Sequence, residues 1–276
     1  MEQSPTTQGI ERERTPEKGA NVLISIELIR HPEKDFQTGS LSEKGKADFL
    51  DKLKEEHQPE QYDTTKFYVT PLKRGQEAKE PIQIFMDDEG IETKIRDKKE
   101  LGVRMEGVGN NFKQELDEVL REKGLITDED NTYTEKQQLQ LASYDTPSKN
   151  YEHVAIELLL DDYFDENFPD SSLTGKDIAN QIDGLIKHFA DLAHRIKSGS
   201  KIKLVLISHS GVIEYLTKEI FLRNNPELSS KEVKTWQIGG LVDYMEGPSI
   251  TIQSDETGEQ KIGFKFKDLD LDYKHE

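Results

Sequence analysis

Two arginines and two histidines are the residues of this sequence most suited to a chemical role. They are Arg30 with its neighbour His31, then Arg74 and His209. Guanidinium groups are planar, permanently charged forks that match phosphate oxygens, so the two arginines predict a phosphoryl dianion as the ligand. A neutral imidazole nitrogen can attack phosphorus in line and hold the phosphoryl group covalently. The arginines should help to keep the imidazole neutral, because like charge disfavours imidazolium and lowers its pKa below about 6.5.

The elements around these residues are predicted to bring them together. Three runs rich in apolar or β-branched residues, typical of buried strands, lead into the basic and imidazole positions at residues 22–29, 66–70 and 201–207. Pro32 and Pro71 should stop the first two of these strands, because proline cannot continue the ladder of hydrogen bonds. In an open parallel sheet, ligands bind outside the carboxyl ends of the strands, so we expect the four side chains to converge there.

Helical patterns follow the predicted strands, which indicates an α/β fold. Ser42 is a plausible N-cap for a helix to about residue 57, and further helices are predicted to open at 72–78 and to span 111–123, 151–160, 174–197 and 212–222. The C-terminal part, residues 235–271, alternates like antiparallel or edge strands at 241–245, 249–253 and 261–266. Residues 1–21 are interpreted as a disordered leader and 22–276 as a single α/β domain, with an insertion or cap at about 107–170.

Composition excludes several classes of function. The 276 residues include 37 basic and 55 acidic side chains, a formal net charge of −18, which argues against binding to nucleic acid or to an anionic membrane surface. The absence of cysteine excludes disulfides and thiolate chemistry, and no His-x-x-x-His spacing predicts a metal site or other cofactor. No secretory signal or membrane-spanning run is evident, so a cytoplasmic protein is expected.

Four motifs carry a resemblance to a known family. They lie at residues 28–33 (LIRHPE), 41–45 (LSEKG), 69–78 (VTPLKRGQEA) and 207–213 (ISHSGVI). In this order and spacing the sequence resembles the histidine phosphatase superfamily, branch 1, with its phosphoglycerate mutase-like fold. The resemblance implies a three-layer αβα sandwich with a mostly parallel central sheet. It also implies a phosphohistidine at His31, a phosphate pocket of Arg30, Arg74 and His209, no metal, and a carboxylate that protonates the leaving oxygen.

The sequence departs from the family pattern in three places. Pro32 stands where the family has Gly, which changes the loop beside the nucleophile. Residues 95–97 align with the family's Leu-x-Glu, so Asp97 is the predicted proton donor and Glu100 the second choice. The family's Gly-Glu-Ser before the long helix is not recognisable, so no substrate-binding residue of the cap is carried over.

The motifs therefore predict a phosphomonoester hydrolase acting on a small phosphorylated metabolite or on a phosphoprotein. A mutase is a close variant of this chemistry, in which the cap retains the ester product for return transfer. A catalytically silent protein that binds a phospho-ligand is the alternative from another class, because Pro32 and the uncertain acid make lost activity conceivable. Substrate identity and oligomeric state are not predicted.

Overall fold

The structure, a computed structural model, describes residues 18–35, 38, 40–56, 61–102, 121 and 175–274. Apart from residue 121, the predicted helices at 111–123 and 151–160 and the predicted cap at 107–170 lie outside the described residues. The leader lies outside them up to residue 17. The division into a leader, one domain and a cap therefore stays a prediction.

A seven-stranded sheet lies at the centre of the described part. Its strands in chain order are β1 (Leu23–Arg30), β2 (Thr64–Val69), β3 (Arg96–Asp97), β4 (Lys201–Ser208), β5 (Ser249–Ser254), β6 (Gln260–Phe266) and β7 (Leu269–Asp272). The spatial order is β3-β2-β4-β1-β5-β6-β7. Strands β1 to β4 pair in parallel, and β5 to β7 extend the sheet in antiparallel fashion. The predicted α/β fold with a parallel sheet core is confirmed.

Helices cover both faces of this sheet, which confirms the predicted three layers. They are α1 (Glu43–Glu55), α2 (Lys73–Glu77), α3 (Lys79–Asp88), α4 (Gly175–Ala193) and α5 (Val212–Asn224). On one face, apolar side chains of α4 and α5 pack with inward residues of β1 and β4, such as Ile26 and Leu206. On the other face, Phe49 of α1 and Ile82 of α3 pack with Phe67 of β2. The strands that carry the motifs are therefore fixed from both sides.

Two predicted elements are corrected. Residues 241–245 do not form a strand: the Val242 amide donates to the Glu214 carboxylate (3.0 Å) and the Asp243 amide to that of Glu246 (3.0 Å), so neither joins a ladder. The long helix ends at Ala193 and not near residue 197, because Lys197 forms a β-bridge with Lys18. Strand β3 and helix α3 were not predicted as separate elements.

Local sequence signals explain how α1 and α2 begin. Ser42 caps α1 as predicted, since its hydroxyl accepts a hydrogen bond from the Gly45 amide (2.9 Å). Helix α2 starts shortly after Pro71 and packs tightly against the end of β2. A Cβ atom at Gly75 would lie 2.3 Å from the carbonyl oxygen of Thr70, so only glycine permits this approach. Arg74 is thereby held close to the end of the sheet.

Candidate active site

The carboxyl end of the parallel strands brings together all four predicted basic and imidazole residues. Arg30 ends β1 and pairs in register with Ser208 of β4, and the His31 amide donates to the Ser208 carbonyl (2.9 Å). The imidazole rings of His31 and His209 lie 5.0 Å apart between centroids, with an edge-to-face arrangement. Arg74, on α2, completes the group by a direct contact with His31. The convergence expected from the sequence is therefore found.

Hydrogen bonds to both ring nitrogens fix the tautomer of His31. Arg74 Nη1 lies 2.8 Å from His31 Nε2, and a guanidinium can only donate, so Nε2 is the acceptor. His31 Nδ1 then carries the hydrogen and donates to the carbonyl oxygen of Pro32 (2.7 Å). Pro32 supplies this carbonyl as any residue would, so the departure from Gly does not remove the contact that orients the ring. The lone pair at Nε2 points to Arg74.

Both imidazoles are held neutral. The pKa of His31 is lowered to about 2, mainly by burial and then by His209 and Arg74. The pKa of His209 is likewise lowered to about 3, mainly by burial and then by Arg74 and Arg30. The predicted direction is confirmed, but burial and not the arginines is the largest cause, since His31 is only 1% exposed. His209 Nε2 is buried and has no hydrogen-bond partner among the described residues.

Residues 242–244, which the sequence analysis did not assign to the site, contact the side chain of Arg30. Arg30 Nη1 donates to the Val242 carbonyl (2.9 Å), and the guanidinium carbon lies 4.1 Å from the ring centroid of Tyr244. The Tyr244 ring is also 5.8 Å from the ring of His31. No motif marks this segment, because long-range hydrogen bonds and not local sequence bring it to the site.

A buried carboxylate connects this segment with the loop that carries His209. Glu214 is 1% exposed and accepts hydrogen bonds from the Ser210 hydroxyl (2.8 Å), the Val242 amide (3.0 Å) and the Gly211 amide (2.5 Å). Gly211 has φ +87°, a conformation that glycine adopts readily. The only sequence signal for Glu214 is an acid in the first turn of a helix.

Lys34 is a further cation near the pocket and was not predicted either. Its pKa is lowered to about 8, mainly by burial and then by Arg74 and Arg30, which carry the same charge. Burial also lowers the pKa values of Arg30 and Arg74. Several partly desolvated cations therefore face one another, which is the arrangement expected of an anion site.

The two predicted proton donors lie on the neighbouring edge of the sheet. Asp97 ends β3, and its side chain is 52% exposed. Its Oδ1 accepts from Gln76 Nε2 (2.7 Å) and pairs with Lys79 Nζ (2.8 Å), and these contacts lower the pKa of the carboxyl. Glu100 lies in a short 3₁₀ turn, Lys99–Leu101. No described contact joins either carboxylate to His31, so their role stays a prediction.

The described residues contain neither a cluster suited to a metal ion nor a helix suited to span a membrane. In that part of the chain, no group of three or more His, Asp or Glu side chains is arranged to hold a metal ion. None of the helices described is both long enough and apolar enough to cross a membrane.

Comparison with known proteins gives structural matches only. No family model matches the chain, and no curated protein does. The solved structures that match include a phosphoglycerate mutase from Bacillus anthracis (13% identity, TM-score 0.47, 87% of this chain and 95% of that one). They also include a mycobacterial glucosyl-3-phosphoglycerate phosphatase (14%, 0.42, 89% and 96%) and the protein histidine phosphatase SixA (10%, 0.35, 91% and 96%).

The motifs that carry the family resemblance meet at one end of the sheet. The segments containing Arg30 and His31, Arg74, and His209 are far apart in sequence, yet their side chains form one group, in which Arg30 and His31 are buried. In these motifs, and in the α/β fold that unites them, the chain resembles the histidine phosphatase superfamily.

Proposed function

We propose that this protein is a phosphomonoester hydrolase that works through a phosphohistidine at His31. The observation that carries the proposal is the hydrogen bonding of this imidazole. Nδ1 donates to the Pro32 carbonyl, which leaves the lone pair at Nε2, and Arg74 Nη1 lies 2.8 Å from that nitrogen. A neutral, oriented imidazole beside a guanidinium is what in-line attack on a bound phosphoryl group requires.

The phosphoryl group would be held by the same cations that surround the nucleophile. Arg74 now donates to Nε2, and a phosphate oxygen is a stronger acceptor for a guanidinium than a neutral nitrogen is. Binding of the dianion would therefore draw Arg74 onto an oxygen and uncover the lone pair. Arg30 and His209 would contact the remaining oxygens, since both lie beside His31.

The reaction would proceed in two displacements. In the first, Nε2 of His31 forms a bond to phosphorus while the bond from phosphorus to the ester oxygen breaks, and the leaving oxygen takes up a proton. In the second, water attacks phosphorus and gives a proton back to the carboxylate that protonated the leaving oxygen, the bond from phosphorus to nitrogen breaks, and inorganic phosphate leaves with the imidazole restored. Asp97 is the proposed proton donor, with Glu100 as the second choice. Asp97 is ionised in its present contacts, so donation requires the incoming phosphate charge to raise its pKa.

Steady-state hydrolysis of p-nitrophenyl phosphate, with trapping of the phosphoenzyme, tests the proposal. We expect an acid-labile, base-stable phosphoenzyme in the wild type and a loss of at least about 1,000-fold in kcat for His31→Ala. His188→Ala is the matched control, because His188 is an exposed imidazole on α4. Undiminished turnover by His31→Ala would exclude His31 as the nucleophile.

A phosphate-binding protein without turnover is the second candidate. The exposed, ionised state of Asp97 favours it, because a site without a proton donor binds phosphate but does not release an alkoxide. Binding of inorganic phosphate together with no hydrolysis of aryl or alkyl phosphates would support this candidate. The substrate of either function is proposed only as a small phosphorylated metabolite or a phosphoprotein.

A further inference from the structure

Tyr244 is a side chain of the pocket to which the phosphohistidine mechanism gives no role. Its ring centroid lies 4.1 Å from the guanidinium carbon of Arg30 and 5.8 Å from the imidazole of His31. A guanidinium at this distance from an aromatic ring is attracted by the negative face of the ring. The ring therefore restrains Arg30 on one side of the pocket.

The backbone on both sides of Tyr244 is fixed to Arg30. Before Tyr244, the Val242 carbonyl accepts from Arg30 Nη1 (2.9 Å). After it, the Met245 amide donates to the Arg30 carbonyl (3.1 Å), and the Glu246 carbonyl accepts from the Arg30 amide (2.8 Å). Because these bonds flank Tyr244, its ring has a defined position relative to the pocket before any ligand binds.

The hydroxyl of Tyr244 is buried and keeps its proton available. The nearby backbone N–H of Lys34 can only donate a hydrogen bond to this hydroxyl. No described residue accepts the proton of the hydroxyl. Burial raises the pKa of Tyr244, Arg30 and Arg74 lower it, and the Glu33 carboxylate raises it again. Because no described residue accepts this proton, an anionic oxygen of a bound ligand is an acceptor that suits the hydroxyl. A buried hydroxyl is costly when it stays unpaired.

We propose that Tyr244 is a further ligand of the phosphoryl group. Its hydroxyl donates a hydrogen bond to a non-bridging phosphate oxygen, and its ring keeps Arg30 directed at the same group. No covalent bond forms or breaks at Tyr244. The inference rests on the proposed function, since it deepens the description of the same phosphate site.

Tyr244→Phe tests the hydroxyl alone, because phenylalanine keeps the ring beside Arg30. A hydrogen bond to a charged group is lost, so we expect kcat/KM to fall by about tenfold to one hundredfold. The fall should be similar for p-nitrophenyl phosphate and for phenyl phosphate, and the inhibition constant of inorganic phosphate should rise by a similar factor. The rise in Tm caused by inorganic phosphate should become smaller, which is measurable without turnover.

Tyr273→Phe is the matched control. Tyr273 is a buried tyrosine whose hydroxyl donates to Asp183 Oδ1 (2.8 Å), outside the phosphate pocket. Its loss should lower Tm but leave KM and phosphate inhibition unchanged. Together the two variants separate the loss of any buried hydroxyl from the loss of a phosphate ligand.

The outcomes distinguish this inference from the proposed function. If the wild type hydrolyses aryl phosphates and Tyr244→Phe behaves as the wild type does, the inference is wrong and the proposed function stands. A loss confined to substrates with poor leaving groups, with phosphate inhibition unchanged, also overturns it, because the hydroxyl then acts on the leaving oxygen. A wild type with neither turnover nor a phosphate-induced rise in Tm refutes the proposed function and the inference with it.

Discussion

Glu214→Gln should destabilise the protein and loosen its pocket. Glu214 is 1% exposed and accepts three hydrogen bonds, from the Ser210 hydroxyl and the amides of Gly211 and Val242. Glutamine keeps the shape but replaces one oxygen with an NH₂ group, which must then face one of the two amide donors. A buried donor without a partner costs about 1–3 kcal/mol, and the negative charge near Arg30 is lost as well.

We therefore expect the free energy of unfolding to fall by about 3 kcal/mol, which corresponds to a fall of roughly 6–12 °C in Tm for a chain of this size. Thermal unfolding followed by circular dichroism measures the change. KM for p-nitrophenyl phosphate should rise as well, because Glu214 joins the loop of His209 to the segment that holds Arg30.

Glu232→Gln is the matched control for this prediction. Glu232 also accepts hydrogen bonds, from the Ser229 amide and hydroxyl (both 2.8 Å), but it is fully exposed. Water can replace those bonds, so we expect little change in Tm or in KM. An equal Tm for Glu214→Gln and the wild type would refute the reasoning, since three buried hydrogen bonds would then contribute nothing.

Three further predictions concern His31 as the proposed nucleophile, the guanidinium of Arg74 beside it, and Asp97 as the proposed proton donor. Because the pKa of His31 is lowered to about 2, mainly by burial, the imidazole gains a proton below pH 6.5 only when the chain unfolds. The free energy of unfolding should fall by about 1.4 kcal/mol per pH unit for this group as pH falls below 6.5. When this free energy is measured by urea titration at several pH values, it should depend less steeply on pH for His31→Ala than for the wild type. Arg74→Lys should lower kcat/KM for p-nitrophenyl phosphate by roughly tenfold to one hundredfold, because an ammonium group cannot form the bidentate hydrogen bonds that a guanidinium forms with phosphate oxygens. An unchanged value would contradict a role of Arg74 in binding. Asp97→Asn should lower kcat by roughly one hundredfold with an alkyl phosphate but little with p-nitrophenyl phosphate, whose leaving group needs no proton; equal rates of the variant and the wild type on the alkyl ester would exclude Asp97.

The sequence predicts the centre of the site well because it is built from strand ends. The strand before His209 is buried from its second residue to its end, and every second residue of the strand before His31 is buried, so both strands are easily recognised in the sequence. Since β1 and β4 are parallel neighbours, their carboxyl ends necessarily meet. Residues at such positions can be assigned to one site from chain order alone.

The rest of the site could not be predicted, because its contacts have no local periodicity. Residues 241–245 alternate as a strand does, yet the Val242 amide donates a hydrogen bond to the Glu214 carboxylate on α5. The alternation is real, but tertiary hydrogen bonds override it. Tyr244 therefore reaches Arg30 through a segment whose path only the folded chain defines.

The electrostatics of the pocket connect stability with ligand choice. Burial lowers the pKa values of Arg30, Arg74 and Lys34, so each cation is less favourable there than in water. A phosphoryl dianion would relieve this cost for all three at once, while a neutral ligand would relieve none. The unfavourable free energy of burying these cations would thus favour a dianion over a neutral ligand. In this way a chain of net charge −18 would be able to bind an anion at the proposed site.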